Sequence, residues 1–316
     1  MEHIVSVRTF NTKTGRFKRQ VDSDCRYFAY LNGKNPNEAF LPSATVWADH
    51  LIEHSNQEEV LIYVHGFNNT HHDVRRRLKT LRIHLANAGF SGAVAAFDWP
   101  SDTNLDLEEL VTRDGYQQVV GKAHLSAPFL IDNLINLLWK RNKKLKINLL
   151  AHSLGARLVV EALLKVGSKG APLTLPNALH HVAFVAADID QNAMMKGAGY
   201  ASALERNAEG LTSYYSEVDR VLDVSGKPLF NRYSRRVGQY GLKPNPPEGF
   251  ADVATLNRYL ALLPEGHAPE TIGSHNWYFD DTAAFYPDLI EVLKGKNSNF
   301  SETRRDKGDG DMELVF

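Results

Sequence analysis

The segment Asn148–Val160, NLLAHSLGARLVV, is an apolar run that halts at His152 and Ser153 and then resumes. Before the halt the residues are apolar in succession, as in a strand covered on both faces of a sheet. After it, Leu158, Ala162 and Val166 recur on one helical stripe, with Gly167 beyond them as a stop. Two positions on either side of Ser153 stand Ala151 and Gly155, both very small. A strand that turns sharply into a helix displays a side chain at the apex only where its flanks do not collide. The apex residue is then held in a left-handed conformation, which is costly for a non-glycine residue without a functional reason. Such a turn presents the Ser153 hydroxyl at the carboxyl end of a sheet. It also sets the backbone N–H of Leu154 at a helix N-terminus, where the dipole favours a developing oxyanion. The plain alternative is a serine that caps the helix and does no chemistry.

Outward from this turn, four further short runs recur: Val60–Val64, Ala93–Phe97, His181–Ala187 and Leu211–Glu217. Helical patterns fill the gaps. His71 to Ala88 carries Val74, Leu78, Leu81 and Leu85 at helical spacing, and Asp114 to Lys140 reads as a helix disturbed by Pro128. Alternation of this kind predicts an α/β fold with a doubly wound, mainly parallel sheet. Residues 1–57 read as strands around a Lys-Thr-Gly turn, an antiparallel N-terminal edge of the same sheet. Residues 226–266, rich in Pro, Gly, Arg and Tyr, read as an insertion, with lid, dimer contact and plain surface all open for the stretch Pro244-Asn245-Pro246-Pro247. A single domain over 1–293 is expected, followed by a mobile tail over 294–316.

The turn at Ser153 resembles the nucleophile elbow of the α/β-hydrolase superfamily, with Ala151 where the usual Gly-x-Ser-x-Gly pattern has its first glycine. His65-Gly66, directly after the first parallel-type run, resembles that superfamily's oxyanion loop. The resemblance implies backbone N–H donors at Phe67 and Leu154, with Asn68 or Asn69 bracing the loop or capping the next helix. A serine nucleophile needs a base, and the base an orienting carboxylate; the superfamily's order is serine, acid, histidine. That order implies Asp219, after the run beginning at Leu211, as the acid, with Asp188 or Asp190 as rivals one strand earlier and Asp223 behind them. Of the two histidines beyond Asp219, His275 in GSHNWYF suits a loop before the last helix, and His267 in PEGHAPE looks like surface. His152 is less suited as the base, because adjacent residues on such a turn point apart. HGFNN, FDWPS, AHSLGARLV and YSEVDRVL together resemble one branch of the superfamily, bacterial hydrolases of unknown function, over about Val60 to Phe285. The implied activity is cleavage of an ester or thioester through an acyl-enzyme on Ser153. A non-catalytic binding scaffold and acyl transfer to an alcohol remain as alternatives.

The totals narrow the partners. The chain has 316 residues, 43% of them hydrophobic, with 36 Lys plus Arg against 37 Asp plus Glu. A nucleic-acid or anionic-membrane partner normally leaves a basic excess, so neither is expected, and Arg75-Arg76-Arg77-Leu78-Lys79 reads as a solvated helix face. Cys25 is the single cysteine, which excludes an intramolecular disulfide. No run approaches the roughly 18 apolar residues of a membrane span, and MEHIVSVRTF has no signal-peptide core, so a cytoplasmic protein is expected. His71, His72 and Asp73 are adjacent residues that face different ways on a helix, with no third ligand evident, so no metal is expected there; the implied acyl-enzyme route needs no metal or organic cofactor. The expected partner is a small acyl ester; oligomeric state is left open.

Overall fold

A computed structural model describes residues 1–31, 34–56, 58–103, 113–166, 174–226, 234–242, 245–269, 271–295, 302–308 and 311–315. Among the described residues, eleven strands form one sheet: β1 Glu2–Asn11, β2 Arg16–Tyr30, β3 Phe40–Leu41, β4 Glu59–Val64, β5 Ala93–Asp98, β6 Lys146–His152, β7 His181–Val185, β8 Leu211–Tyr215, β9 Phe250–Ala254, β10 Arg304–Asp306 and β11 Met312–Leu314. Their spatial order is β10-β11-β9-β8-β7-β6-β4-β5-β1-β2-β3. The pairs from β1 through β9 in the middle of the sheet are all parallel. All five apolar runs of the sequence are strands, and they pack as strands buried on two faces should. Val60, Ile62 and Val64 of β4 and Ile147, Leu149 and Ala151 of β6 face one core, while Leu61, Tyr63 and Leu150 face the other.

Helices complete both layers. Ala44–His54, Arg113–Arg141 and Leu154–Lys165 cover the first face through Trp47, Leu51, Val119, Leu134 and Leu158. His71–Asn87 and Phe285–Leu293 cover the second through Leu78, Leu81, Leu85, Phe285 and Leu289. Pro128 does not end its helix. The chain passes into a π-helical turn over Leu130–Ile135, where the Asn136 N–H reaches the Ile131 carbonyl, and continues to Arg141. No helix among the described residues is long and apolar enough to cross a membrane.

The expected antiparallel N-terminal edge is present, made by β2 on β1 and β3 on β2, while β1 itself lies parallel to β5. Within residues 226–266, expected as an insertion, the described stretches carry regular elements. They supply β9, parallel to β8 with Leu211 opposite Phe250, and the short helices Val237–Tyr240 and Leu256–Leu262. The Pro244 part of that reading, with residues 227–233 and 243, lies outside the described residues. Part of the segment 294–316, expected as a mobile tail, is described. β10 and β11 pair with each other and β11 continues the sheet beside β9. This edge is held by charge. Buried Arg304 donates from Nε and Nη2 to the two oxygens of Asp288, each at 2.6 Å, and Tyr214 Oη donates to the same carboxylate at 2.6 Å. A strand fastened by an ion pair carries little hydrophobic pattern, so its sequence resembles a solvated tail.

Candidate active site

Ser153 follows β6 directly and stands at the N-terminus of the Leu154–Lys165 helix with φ 55° and ψ −126°. That is left-handed backbone, held by the sheet around it. The Ser153 N–H donates to the Val185 carbonyl at 3.0 Å, and its own carbonyl accepts from the N–H groups of Ala156 at 3.0 Å and Asp188 at 3.1 Å. Gly155 is required for a separate reason. A Cβ there would sit 2.4 Å from the Val64 carbonyl oxygen and 2.5 Å from that of His65, so the helix crosses the end of β4 with no room for a side chain. Ala151 opposes Val64 across the β4–β6 ladder and is fully buried. The two small flanks do different work: one fits inside a sheet, the other lets a helix touch backbone.

The loop after β4 lies against the serine. A Cβ on Gly66 would be 2.7 Å from the Ser153 Cβ and 3.0 Å from the His152 carbonyl oxygen. Asn69 braces this loop, its Nδ2 donating to the carbonyls of Gly66 at 3.2 Å and Phe67 at 2.9 Å. Asn68 takes the left-handed turn at φ 54° and donates its N–H to the Ser101 carbonyl at 3.0 Å. Thr70, not either asparagine, caps the next helix, in a reciprocal capping box with Asp73. His65 is buried inside, its Nε2 accepting the Trp99 N–H at 3.1 Å while Trp99 Nε1 donates to the His65 carbonyl at 2.8 Å. FDWPS is therefore a brace for the loop.

Behind both segments lies a buried charge network that the sequence did not announce. Arg8 of β1 donates to Asp98 at 2.6 Å, to the Asn69 carbonyl at 2.6 Å and to the Trp99 carbonyl at 2.8 Å, and pairs with Asp102. Ser6 and His71 Nδ1 donate to the second oxygen of Asp98, each at 2.7 Å, and Tyr30 Oη lies 2.8 Å from His71 Nε2. Burial pushes the Asp98 carboxyl up, but the Arg8 guanidinium and His71 outweigh it and hold it well below the usual carboxylate range. Both ring nitrogens of His71 are thereby engaged.

At the carboxyl end of β8, Asp219 is fully buried. Its Oδ1 accepts the N–H groups of Val221 and Leu222, each at 3.1 Å, and its Oδ2 accepts His275 Nδ1–H at 2.7 Å. The imidazole proton is thereby placed on Nδ1, leaving Nε2 with its lone pair. The rival carboxylates are engaged elsewhere. Asp188 accepts hydrogen bonds from Tyr116 Oη at 2.6 Å and Ser225 Oγ at 2.9 Å, and is ion-paired with Arg236, whose Nε lies 3.2 Å away. Asp190 caps the short helix Gln191–Met194, and Asp223 pairs with Arg220 at 3.1 Å. His267 is exposed, its Nδ1 3.4 Å from the Glu265 carbonyl.

His152, next to Ser153 in the chain, joins the two halves of the site. Its Nε2–H donates to the His275 carbonyl at 3.0 Å, and the two rings lie 4.7 Å apart. Complete burial, with His275 beside it, pushes the His152 ring well below its ordinary range, so it is neutral and suited to this donor role. Arg8, Tyr116 and Arg236 had no local signal, since each meets its partner only across strands far apart in sequence.

A protein-family profile described as "Alpha/beta hydrolase of unknown function (DUF900)" matches residues 42–249, a span that holds Ser153 and Asp219 and stops before His275. No curated protein matches the sequence. Similar solved structures include a cutinase-like protein from Cryptococcus sp., 16% identical over 75% of this chain and 95% of its own, with TM-score 0.37. An esterase/lipase from an uncultured bacterium is 12% identical over 77% of each chain, with TM-score 0.34. Phospholipase PlaB from Legionella pneumophila, in complex with thio-NAD, is 11% identical over 81% of this chain and 67% of its own, with TM-score 0.33. The family match spans well over half of the sequence and includes the serine turn, the braced loop and the buried aspartate: this chain belongs to the α/β-hydrolase family of unknown function.

Proposed function

We propose that the protein is a serine hydrolase that cleaves carboxylic esters, with thioesters as the neighbouring class, through an acyl-enzyme on Ser153. The observation that carries this reading is the Asp219–His275 hydrogen bond of 2.7 Å, joined through the His275 carbonyl to His152 and so to the strained Ser153. In this mechanism His275 Nε2 accepts the Ser153 proton as Oγ attacks the ester carbonyl. Asp219 keeps the imidazole in the required tautomer and stabilises the imidazolium. The oxyanion is met by the N–H groups of Leu154, at the helix N-terminus, and Phe67, on the loop whose carbonyls Asn69 holds. His275 returns the proton to the leaving alcohol, then activates water to release the acid. An ester is favoured because its leaving group asks no more of the site than a nucleophile, a base and two donors.

The test is reaction with a fluorophosphonate probe, read by intact mass, followed by a panel of short and long acyl esters. One adduct on the wild type is expected, absent from folded Ser153→Ala and slowed in His275→Ala. Asp219→Asn is expected to react about 10⁴-fold more slowly, because asparagine enforces the wrong tautomer. No adduct on folded wild type, or an adduct that survives Ser153→Ala, overturns the proposal. Labelling without turnover of any ester would leave a binding scaffold or an acyltransferase in its place.

A further inference from the structure

We propose that His3, His50 and His54 form a zinc-binding site at the end of the sheet opposite Ser153. His3 lies at the start of β1, opposite Ala95 near the start of the parallel strand β5, whereas Ser153 follows the end of β6. Strand direction therefore places the cluster at the amino edge and the serine at the carboxyl edge. His50 and His54 are one turn apart on the Ala44–His54 helix, and that helix packs over β1 with His3 edge-on to Trp47.

One nitrogen from each of the three rings falls within 4.8 Å of the other two. His3 Nε2 and His50 Nδ1 are 2.8 Å apart, and the ring centroids are separated by 5.1, 5.5 and 4.5 Å. A tetrahedral ion with Zn–N bonds near 2.0–2.1 Å needs ligand nitrogens about 3.4 Å apart, so a rotation of half an ångström opens the closest pair. The tautomers are suitable too. His54 Nδ1–H donates to the His50 carbonyl at 2.7 Å, which leaves its Nε2 as the coordinating atom. Anchoring of the distal ring N–H by a carbonyl is how ligating histidines are ordinarily oriented. As the metal enters, the hydrogen between His3 and His50 moves to the other nitrogen of its own ring, so both ligands remain neutral imidazoles. A cavity of about 140 Å³ borders His3 and His54, with room for a fourth ligand and an entry path. Arg82 on its wall opposes a bare dication and favours an anion, hydroxide or chloride, in that fourth position. The proposed hydrolase does not use these three rings, and the sequence separation of 47 between His3 and His50 hides the cluster from any sequence motif.

The experiment titrates zinc chloride into the full chain after chelator dialysis, in competition with a chromophoric chelator. One ion per chain is expected, with a higher melting temperature for the wild type in zinc. Cobalt in place of zinc should show the intense visible bands of four-coordinate cobalt. His54→Ala and His50→Ala should bind at least about 10-fold more weakly. His3 is only 2% exposed, so His3→Ala risks the fold, and the outward-facing His54→Ala carries the test. Ser153→Ala should bind zinc as the wild type does, which separates this site from the hydrolase reading. Absence of wild-type binding, or binding unchanged by both His50→Ala and His54→Ala, overturns the proposal.

Discussion

Replacing Ser153 by glycine asks how much strain the serine turn stores. At φ 55° and ψ −126° the residue occupies backbone that glycine adopts freely and other residues do not. Backbone of this kind costs on the order of 1–3 kcal/mol at a non-glycine residue. Ser153→Ala keeps the strain, and Ser153→Gly releases it, so the informative comparison is between these two variants. At an unstrained buried site, glycine would be the less stable by about 1.5 kcal/mol: roughly 0.5–1 for its greater freedom when unfolded and about 0.8 for the lost methyl. Adding back about 2 kcal/mol of released strain brings glycine level with alanine or about 0.5 kcal/mol above it. Urea unfolding of both variants measures the difference, with equal slopes required so that midpoints report stability alone. Neither variant should react with a fluorophosphonate. If Ser153→Gly is less stable than Ser153→Ala by more than about 1 kcal/mol, the strain argument is refuted.

Three further outcomes follow from neighbouring features. Gly155→Ala places a methyl against two backbone oxygens that have no flexible end to yield; a loss of about 3 kcal/mol and slower labelling of Ser153 are expected, and wild-type stability would show the helix free to shift. Arg304→Met leaves Asp288 buried with only hydroxyl donors, and should cost about 3–5 kcal/mol by urea unfolding; a cost under about 1 kcal/mol would mean the β10–β11 edge contributes little. Acid should weaken the fold through His152. Its folded pKa lies below the ordinary value near 6.5, so below that pH the unfolded chain binds a proton the folded chain refuses. Stability is thus present above about pH 6.5 and declines as the pH falls below it. His152→Gln, which can still donate to the His275 carbonyl, should remove that part of the pH dependence, and equal pH slopes for the two proteins would count against a neutral buried His152.

Much of the architecture is legible along the chain because burial on two faces leaves a contiguous mark. The runs that became β4 to β8, the helices from His71 and Leu154, and the small residues around Ser153 all announce themselves within a dozen residues. The serine turn is local in the same sense: its requirement for Ala151 and Gly155 is steric and acts over five consecutive residues. Asp219 and His275 were named from the order that a resemblance implies, and their bond is long-range, across 56 residues.

What only the tertiary structure decided are the polar contacts between segments remote in sequence. β9 and the β10–β11 edge leave little mark in the sequence, because a strand at the side of a sheet, or one fastened by Arg304 to Asp288, lacks the apolar run that marks a central strand. The contacts that engage Asp188, from Tyr116, Ser225 and Arg236, were likewise invisible locally. The Arg8–Asp98 network and the His3, His50 and His54 cluster belong to the same class. Apolar burial is a property of each position and repeats with the period of its element, so sequence alone determines the layers. Hydrogen bonds and ion pairs are properties of pairs of atoms, and only the folded chain decides which atoms meet.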